Sequence, residues 1–272
     1  MKVARRREAM LDAVLSGLTN VETLCAHFGV SEATVRRDLG ALAEQGLIVR
    51  TYGGAAHIGT REPELTLTQR QSCHEGIKAR LAALALEQIR DHDTLLLDGG
   101  TTTAALAAML HHRRGLHVIT NNLAALSSLE RLPEGRVTVL GGEVRMSSMT
   151  TMGPAAQAML ARLSVDRVFM SADGVTADLG LCEASPEQAW LKELMISRSA
   201  RCYVMADHTK LGRTSQQHWT PLPPQWTLIT NSSDEQVLGP FRHSNACILS
   251  LSESSSKQGV RSCPSSESHP GR

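Results

Sequence analysis

A chain of 272 residues, 42% hydrophobic and 20% charged, has the make-up of an ordinary soluble globular protein with room for one small and one mid-sized domain. Aromatic residues are only 3%, which argues against a stacking platform for single-stranded nucleic acid and leaves the cores to aliphatic side chains. A formal net charge of +1 excludes a global basic field, so a polyanion would have to be met by local clusters such as Arg5-Arg6-Arg7 and Arg36-Arg37.

In chain order, Met10, Leu11, Val14, Leu15 and Leu18 recur at three- and four-residue spacing and predict an amphipathic helix over residues 5–18. A short second helix over residues 21–28 turns Leu24 and Phe28 inward and ends at Gly29, which can take the left-handed conformation that closes a helix. Ser31 is placed to cap a third helix over residues 31–45, its hydroxyl accepting from first-turn amides. Val35, Leu39 and Leu42 line one face of that helix, and the other carries Ala33, Arg37 and Gly40 flanked by Thr34 and Arg36. Leu47-Ile48-Val49-Arg50 has the β-branched content of a strand, and Thr51-Tyr52-Gly53-Gly54 supplies the turn of a hairpin. Two helices joined at a glycine turn, the second with short and basic exposed residues, are the parts of a helix-turn-helix that enters the DNA major groove, with the hairpin as its wing. Three short amphipathic helices also build modules that never touch nucleic acid, and periodicity alone leaves both readings open.

The string Val30-Ser31-Glu32-Ala33-Thr34-Val35-Arg36-Arg37-Asp38-Leu39, with Leu42, Gly46, Leu47 and then Arg50-Thr51-Tyr52-Gly53-Gly54-Ala55, closely resembles the helix-turn-helix signature of the DeoR family of bacterial regulators. The resemblance implies that the third helix reads double-stranded operator DNA through Ser31, Ala33, Thr34, Arg36 and Arg37, with Arg50, Tyr52 and Gly53 in the wing.

Residues 59–76 lose the apolar period and contain Gly59 and Pro63, which is linker composition between a DNA-binding domain at 1–58 and a second domain at 77–251. In the latter, helical and strand-like segments alternate. Helices are expected at 77–90, from 103, at 155–162 and at 187–199; strands are expected at 94–97, 117–120, 136–140, 166–171, 201–206, 226–230 and 246–250. Alternation of this kind predicts an α/β domain with a mainly parallel sheet. Polar and glycine residues follow the strands, where such sheets bind ligands: Asp98-Gly99-Gly100-Thr101-Thr102-Thr103, Asn121, Gly141-Gly142, Asp173-Gly174, and Asp207 with Lys210. Gly-Gly-Thr-Thr-Thr at a helix start suits a phosphate cradle without a Walker lysine, though glycine after a strand also makes a plain tight turn. Asp173 and Asp207 fit helix caps equally well.

Leu97-Asp98-Gly99-Gly100-Thr101-Thr102, Thr120-Asn121, Leu140-Gly141-Gly142, Met152-Gly153-Pro154, Ala172-Asp173-Gly174, Gly180-Leu181, Lys192 and Ala206-Asp207-His208-Thr209-Lys210-Leu211-Gly212 resemble the sensor domain of the same family. That resemblance implies a fold similar to ribose-5-phosphate isomerase and the CoA transferases, and a ligand of the sugar-phosphate class. The pocket residues implied are Asp98, Gly99, Gly100, Thr101, Thr102, Thr103, Asn121, Gly141, Asp173, Glu187, Lys192, Asp207 and Lys210. Lys192 and Lys210 would neutralise phosphate, and Asp173 and Glu187 would accept from sugar hydroxyls; Lys192 reads equally as an exposed helix residue. Cys182 and Glu183 depart from the family's pattern, as does the serine-rich segment 252–272, whose composition predicts disorder.

The six cysteines are far apart, with no C-x-x-C pair and no signal-peptide pattern before them, so thiols without metal or cofactor in a cytoplasmic protein are expected. The function expected is a non-enzymatic, ligand-responsive transcriptional regulator, a repressor of carbohydrate-metabolism genes, acting as a homo-oligomer away from membranes. The competing reading is a sugar-phosphate isomerase-like enzyme with an accessory helical module, in which Asp173 and Lys192 do acid–base work.

Overall fold

The computed structural model describes residues 3–15, 18, 20–51, 54–57 and 64–251. Helices α1 (Val3–Leu15), α2 (Val21–Phe28) and α3 (Glu32–Glu44) precede an antiparallel hairpin of β1 (Ile48–Thr51) and β2 (Gly54–His57). The limits of α2 are set locally: Asn20 Oδ1 accepts from the Glu22 amide at 2.7 Å, and Gly29 closes the helix at φ 62°. Met10, Val14, Leu24, Val35, Leu39, Leu42 and Ile48 bury one another in a single cluster, so the three apolar stripes meet. α1 ends at Leu15, three residues short of its expected limit, yet Leu18 still packs on the cluster with its amide bonded to the Ala13 carbonyl at 2.9 Å.

The segment expected to be a plain linker holds α4 (Leu67–Ser72) and the start of α5 (Glu75–Leu86). α4 is specified by a reciprocal cap: Thr66 Oγ1 accepts from the Gln69 amide, and Gln69 Oε1 accepts from the Thr66 amide at 2.9 Å. None of its residues is fully buried, so it has no apolar stripe for periodicity to find.

The chain continues through β3 (Thr94–Leu97), α6 (Thr101–Ala107), β4 (His117–Thr120), α7 (Leu126–Leu129), β5 (Arg136–Val139), β6 (Glu143–Arg145), β7 (Thr150–Met152), α8 (Pro154–Leu160), β8 (Val165–Met170), β9 (Gly174–Thr176) and β10 (Gly180–Glu183). It ends with α9 (Pro186–Ser197), β11 (Ser199–Met205), β12 (His218–Thr220), β13 (Trp226–Thr230), α10 (Glu235–His243) and β14 (Ala246–Ser250). Seven strands form a parallel sheet in the order β14-β13-β11-β8-β3-β4-β5. Its centre is apolar on both faces, as a parallel sheet covered on both sides requires. Leu96 faces one core with Ile119, Val168, Val204 and Leu228, while Leu95 and Leu97 face the other with Val118, Phe169 and Ile229.

Two antiparallel additions were not anticipated, the pair β6-β7 and the three-stranded β12-β10-β9. Their strands are only three or four residues long, too short to establish an alternation. Among the described cysteines Cys182 and Cys202 are buried and Cys73 is exposed. No helix among the described residues is long and apolar enough to cross a membrane, and segment 252–272 lies outside the described residues.

Candidate nucleic-acid interface and ligand pocket

The face of α3 opposite Val35, Leu39 and Leu42 is open: Ser31, Ala33, Arg36 and Arg37 are exposed and Thr34 is half-buried. The two arginines are not equivalent. Arg36 Nε donates to Glu32 Oε1 at 2.7 Å, one turn back, whereas Arg37 has no ion-pair partner among the described residues. Ser31 does occupy the capping position, but its hydroxyl makes no capping bond and lies 3.0 Å from Thr34 Oγ1. The amides of Thr34 and Val35 are already bonded to the Ser31 carbonyl at 2.9 and 3.0 Å, and the neighbouring hydroxyl is the available partner.

Two of the three residues in the cluster Arg5-Arg6-Arg7 are not free charge for a polyanion. Arg6 Nε and Arg7 Nε donate to the two carboxylate oxygens of Asp38 at 2.7 and 2.9 Å, fastening α1 to α3 around a carboxylate that is 1% exposed. Burial alone would raise the Asp38 carboxyl, but the two guanidinium groups hold it below its ordinary value. Arg50 stands on β1 opposite Ala55; Tyr52 and Gly53 lie outside the described residues.

The order of the parallel sheet reverses between β3 and β8, and a cavity of about 240 Å³ opens beyond their carboxyl ends. Asp98, Gly99, Gly100, Thr101, Thr102, Asn121, Asp173, Lys192, Asp207 and Lys210 line it, so the expected strand ends do converge. The glycine pair has a packing reason of its own. A Cβ on Gly99 would lie 2.3 Å from Thr150 Cγ2, and Gly100 has φ 129° with Ser171 Oγ 2.4 Å from where its Cβ would stand.

Three expected residues are not on the wall. Thr103 is fully buried; its hydroxyl donates to the Asp98 carbonyl at 2.7 Å and accepts from Asn122 Nδ2 at 3.2 Å, which ties the turn together. Gly141 is exposed and outside the cavity, because β5 is an edge strand and its end lies away from the point of reversal. Glu187 sits exposed in the first turn of α9, and the buried carboxylate of this region is Glu183 on β10.

Lys192 is neither an exposed helix residue nor a free phosphate ligand. Its ammonium donates to Asp98 Oδ2 at 2.6 Å and to the Ser171 carbonyl and is ion-paired with Glu183 Oε1 at 2.7 Å, so its charge is met from the ends of β3 and β8 and from β10. Burial opposes the charge on Lys192, yet the two carboxylates keep it above its ordinary value. One ammonium facing two carboxylates leaves an excess negative charge in a dry space. Burial, helped by Asp173 and Asp98, accordingly pushes Glu183 up to about 7 against the pull of Lys192.

Asp207 does act as a cap, its Oδ1 accepting from the Thr209 amide at 3.0 Å, and it lines the cavity as well. Lys210 Nζ donates to the Ala172 carbonyl at 2.7 Å and lies 3.9 Å from Asp173 Oδ1; burial holds it below the usual lysine range. Sequence reasoning missed Glu64, Arg70, His74, Lys78 and Ser215, which also line the cavity, and noted Glu183, another lining residue, only as a departure from the family's pattern. The only local signal for the first four was the Thr66-x-x-Gln69 cap. Asn121 Oδ1, Gln188 Oε1, Ser215 Oγ and Arg70 Nε are buried on this wall without a hydrogen-bond partner. Such unmet capacity is what a polar ligand satisfies.

Residues 6–61 match the model of the DeoR-like helix-turn-helix domain, and residues 74–232 match that of the DeoR C terminal sensor domain. The chain is 32% identical over 248 residues to the glycerol-3-phosphate regulon repressor of Escherichia coli (strain K12), an alignment covering 87% of this chain and 98% of that one. It is 29% identical over 232 residues to the HTH-type transcriptional regulator IolR of Bacillus subtilis (strain 168), covering 85% and 92%. A solved ribose 5-phosphate isomerase from Plasmodium falciparum is 14% identical with a TM-score of 0.37 over 58% of this chain and 55% of that one, values at which the likeness bears on neither activity nor ligand.

Proposed function

This chain belongs to the DeoR family of transcriptional regulators, and we propose that it represses genes of carbohydrate metabolism, holding double-stranded operator DNA until a phosphorylated sugar or a related small molecule fills its sensor pocket. The observation that carries the reading is the polar cavity at the sheet's point of reversal, walled by Thr101, Thr102, Asn121 and Asp173 and left with unpaired buried polar atoms, in a chain that begins with a helix-turn-helix. The Escherichia coli relative is named as the repressor of a glycerol-3-phosphate regulon, which suggests the ligand class.

In this reading α3 lies in the major groove. Arg37 reads a guanine or clamps a phosphate, Arg36 joins it by releasing Glu32, and Ser31, Ala33 and Thr34 approach the bases, with Arg50, Tyr52 and Gly53 of the wing along the backbone. Asn121 and Asp173 take sugar hydroxyls. The ligand can change operator affinity only by as much as it prefers one arrangement of the chain over another, typically about 1–3 kcal/mol. Helix-turn-helix proteins read paired half-sites, so a homo-oligomer in the cytoplasm is the working form. The pocket serves recognition and not catalysis, since Lys192, Asp98 and Glu183 are locked on one another.

An electrophoretic mobility-shift titration on the DNA upstream of its own gene tests this. The expected result is a sequence-selective complex that one or more phosphorylated sugars disperse. Absence of selective binding, with or without those sugars, would overturn it.

A further inference from the structure

We propose that Arg70 and Lys78, backed by Lys210, grip the anionic group of the effector, which makes the interdomain helix α4 itself a wall of the ligand site. This rests on the effector reading above and adds where the charge is met.

The cations of the cavity wall differ in how far their charge is met. Lys192 is consumed by Asp98 and Glu183. Lys78 is buried, donates to the Arg70 carbonyl and has no carboxylate within ion-pair distance among the described residues. Arg70 has Glu64 only at 3.6 Å, because Glu64 is taken by both terminal nitrogens of Arg145, one of them at 2.8 Å. One terminal nitrogen of Arg70 donates to the Ser147 carbonyl at 3.0 Å, and its buried Nε has no partner. Lys210 finds Asp173 only at 3.9 Å.

These cations also crowd one another. Lys78 is held below the usual lysine range by burial, and repulsion from Lys210 and Arg70 adds to this while Asp207 opposes it. Lys210 is depressed by burial and by Arg213, with Asp173, Asp207 and Glu183 opposing. A doubly charged phosphate among Arg70, Lys78 and Lys210 relieves that repulsion, and it occupies the unused Nε of a guanidinium whose fork suits phosphate. The place is contiguous with the glycine–threonine turn, since the Arg70 carbonyl also lies 3.4 Å from Thr101 Oγ1. The cradle without a lysine of its own thus takes its charge from α4 and α5. Arg70 then has to divide itself between Ser147, Glu64 and the ligand, so occupancy is felt directly by the segment that leads back to the DNA-binding domain.

Isothermal titration of the full chain with glycerol 3-phosphate, ribose 5-phosphate, fructose 1-phosphate and inorganic phosphate, each sugar or polyol paired with its unphosphorylated form, tests the inference. For whichever phosphorylated probe binds the parent, Arg70→Gln and Lys78→Met should each weaken binding about 10- to 100-fold, and Arg70→Lys should recover part of it. The unphosphorylated partner should bind parent and variants alike. The probe concentration needed to release operator DNA should rise by the same factor. Variants that bind the phosphorylated probe as tightly as the parent, or that lose both forms equally, overturn the inference while the effector reading stands. A parent chain that binds none of the phosphorylated probes overturns the effector reading and this inference with it. Should Lys78→Met fail to fold, Arg70→Gln, at a partly exposed position, decides alone.

Discussion

Adjacent arginines on one helix turn have different work available to them. Arg36 must give up Glu32 before it can meet DNA, whereas Arg37 has no ion pair to give up among the described residues. Arg37→Ala should therefore weaken operator binding by about 1–3 kcal/mol, and Arg36→Ala by less, measured by fluorescence anisotropy at fixed ionic strength. The residue scale is also where the sequence was least legible. Residue type and position after a strand placed Asp98, Asn121 and Asp207 on the cavity wall, because strand ends of a parallel sheet converge whatever the side chains do. The same rule could not tell that Lys192 would be spent on two carboxylates, that Thr103 would turn its hydroxyl to the backbone, or that Glu183 and not Glu187 would be the buried acid. Those outcomes depend on contacts between residues as much as 94 positions apart, as for Lys192 and Asp98.

Elements were read best where their signal is local. β3, β4, β13 and β14 stand at the expected residues, since short apolar runs bounded by turn residues leave little choice of limits. α4 escaped because a capping box without an apolar stripe is invisible to periodicity. The contact between α1 and α3 was illegible too: Arg6 and Arg7 read as charge for a partner and Asp38 only as part of a signature string, yet the three make the brace between the helices. Asp38→Asn should destabilise the helical domain by about 1–3 kcal/mol. Because the folded Asp38 carboxyl is held below its unfolded value of about 3.9, its contribution is complete above that pH. It is lost as the pH falls through the lower folded value, so the gap in urea stability between parent and Asp38→Asn should close with acidification below about pH 4. A gap that widened in acid would mean that Asp38 is not the anion of this brace.

At the scale of the whole molecule, one apolar cluster belongs to residues 10–48 and two others share the parallel sheet. All three tryptophans, Trp190 on α9, Trp219 on β12 and Trp226 on β13, belong to the α/β part of the chain, so their fluorescence follows that part alone. A phosphorylated probe at about a hundred times its Kd should raise the fluorescence melting temperature by roughly 5–10 °C. Any earlier or later step seen only in helical circular dichroism should stay where it was; a single melt that moves as one by both signals would show that the chain unfolds as one unit. The position of β3 has a consequence for synthesis. Thr94 on β3 bonds to Asp166 on β8, 72 residues further on, so this interior strand leaves the ribosome well before its second neighbour exists. At about 5–20 residues per second the apolar edge Leu95-Leu96-Leu97 stays unpaired for several seconds, an interval in which it is open to pairing with another nascent chain.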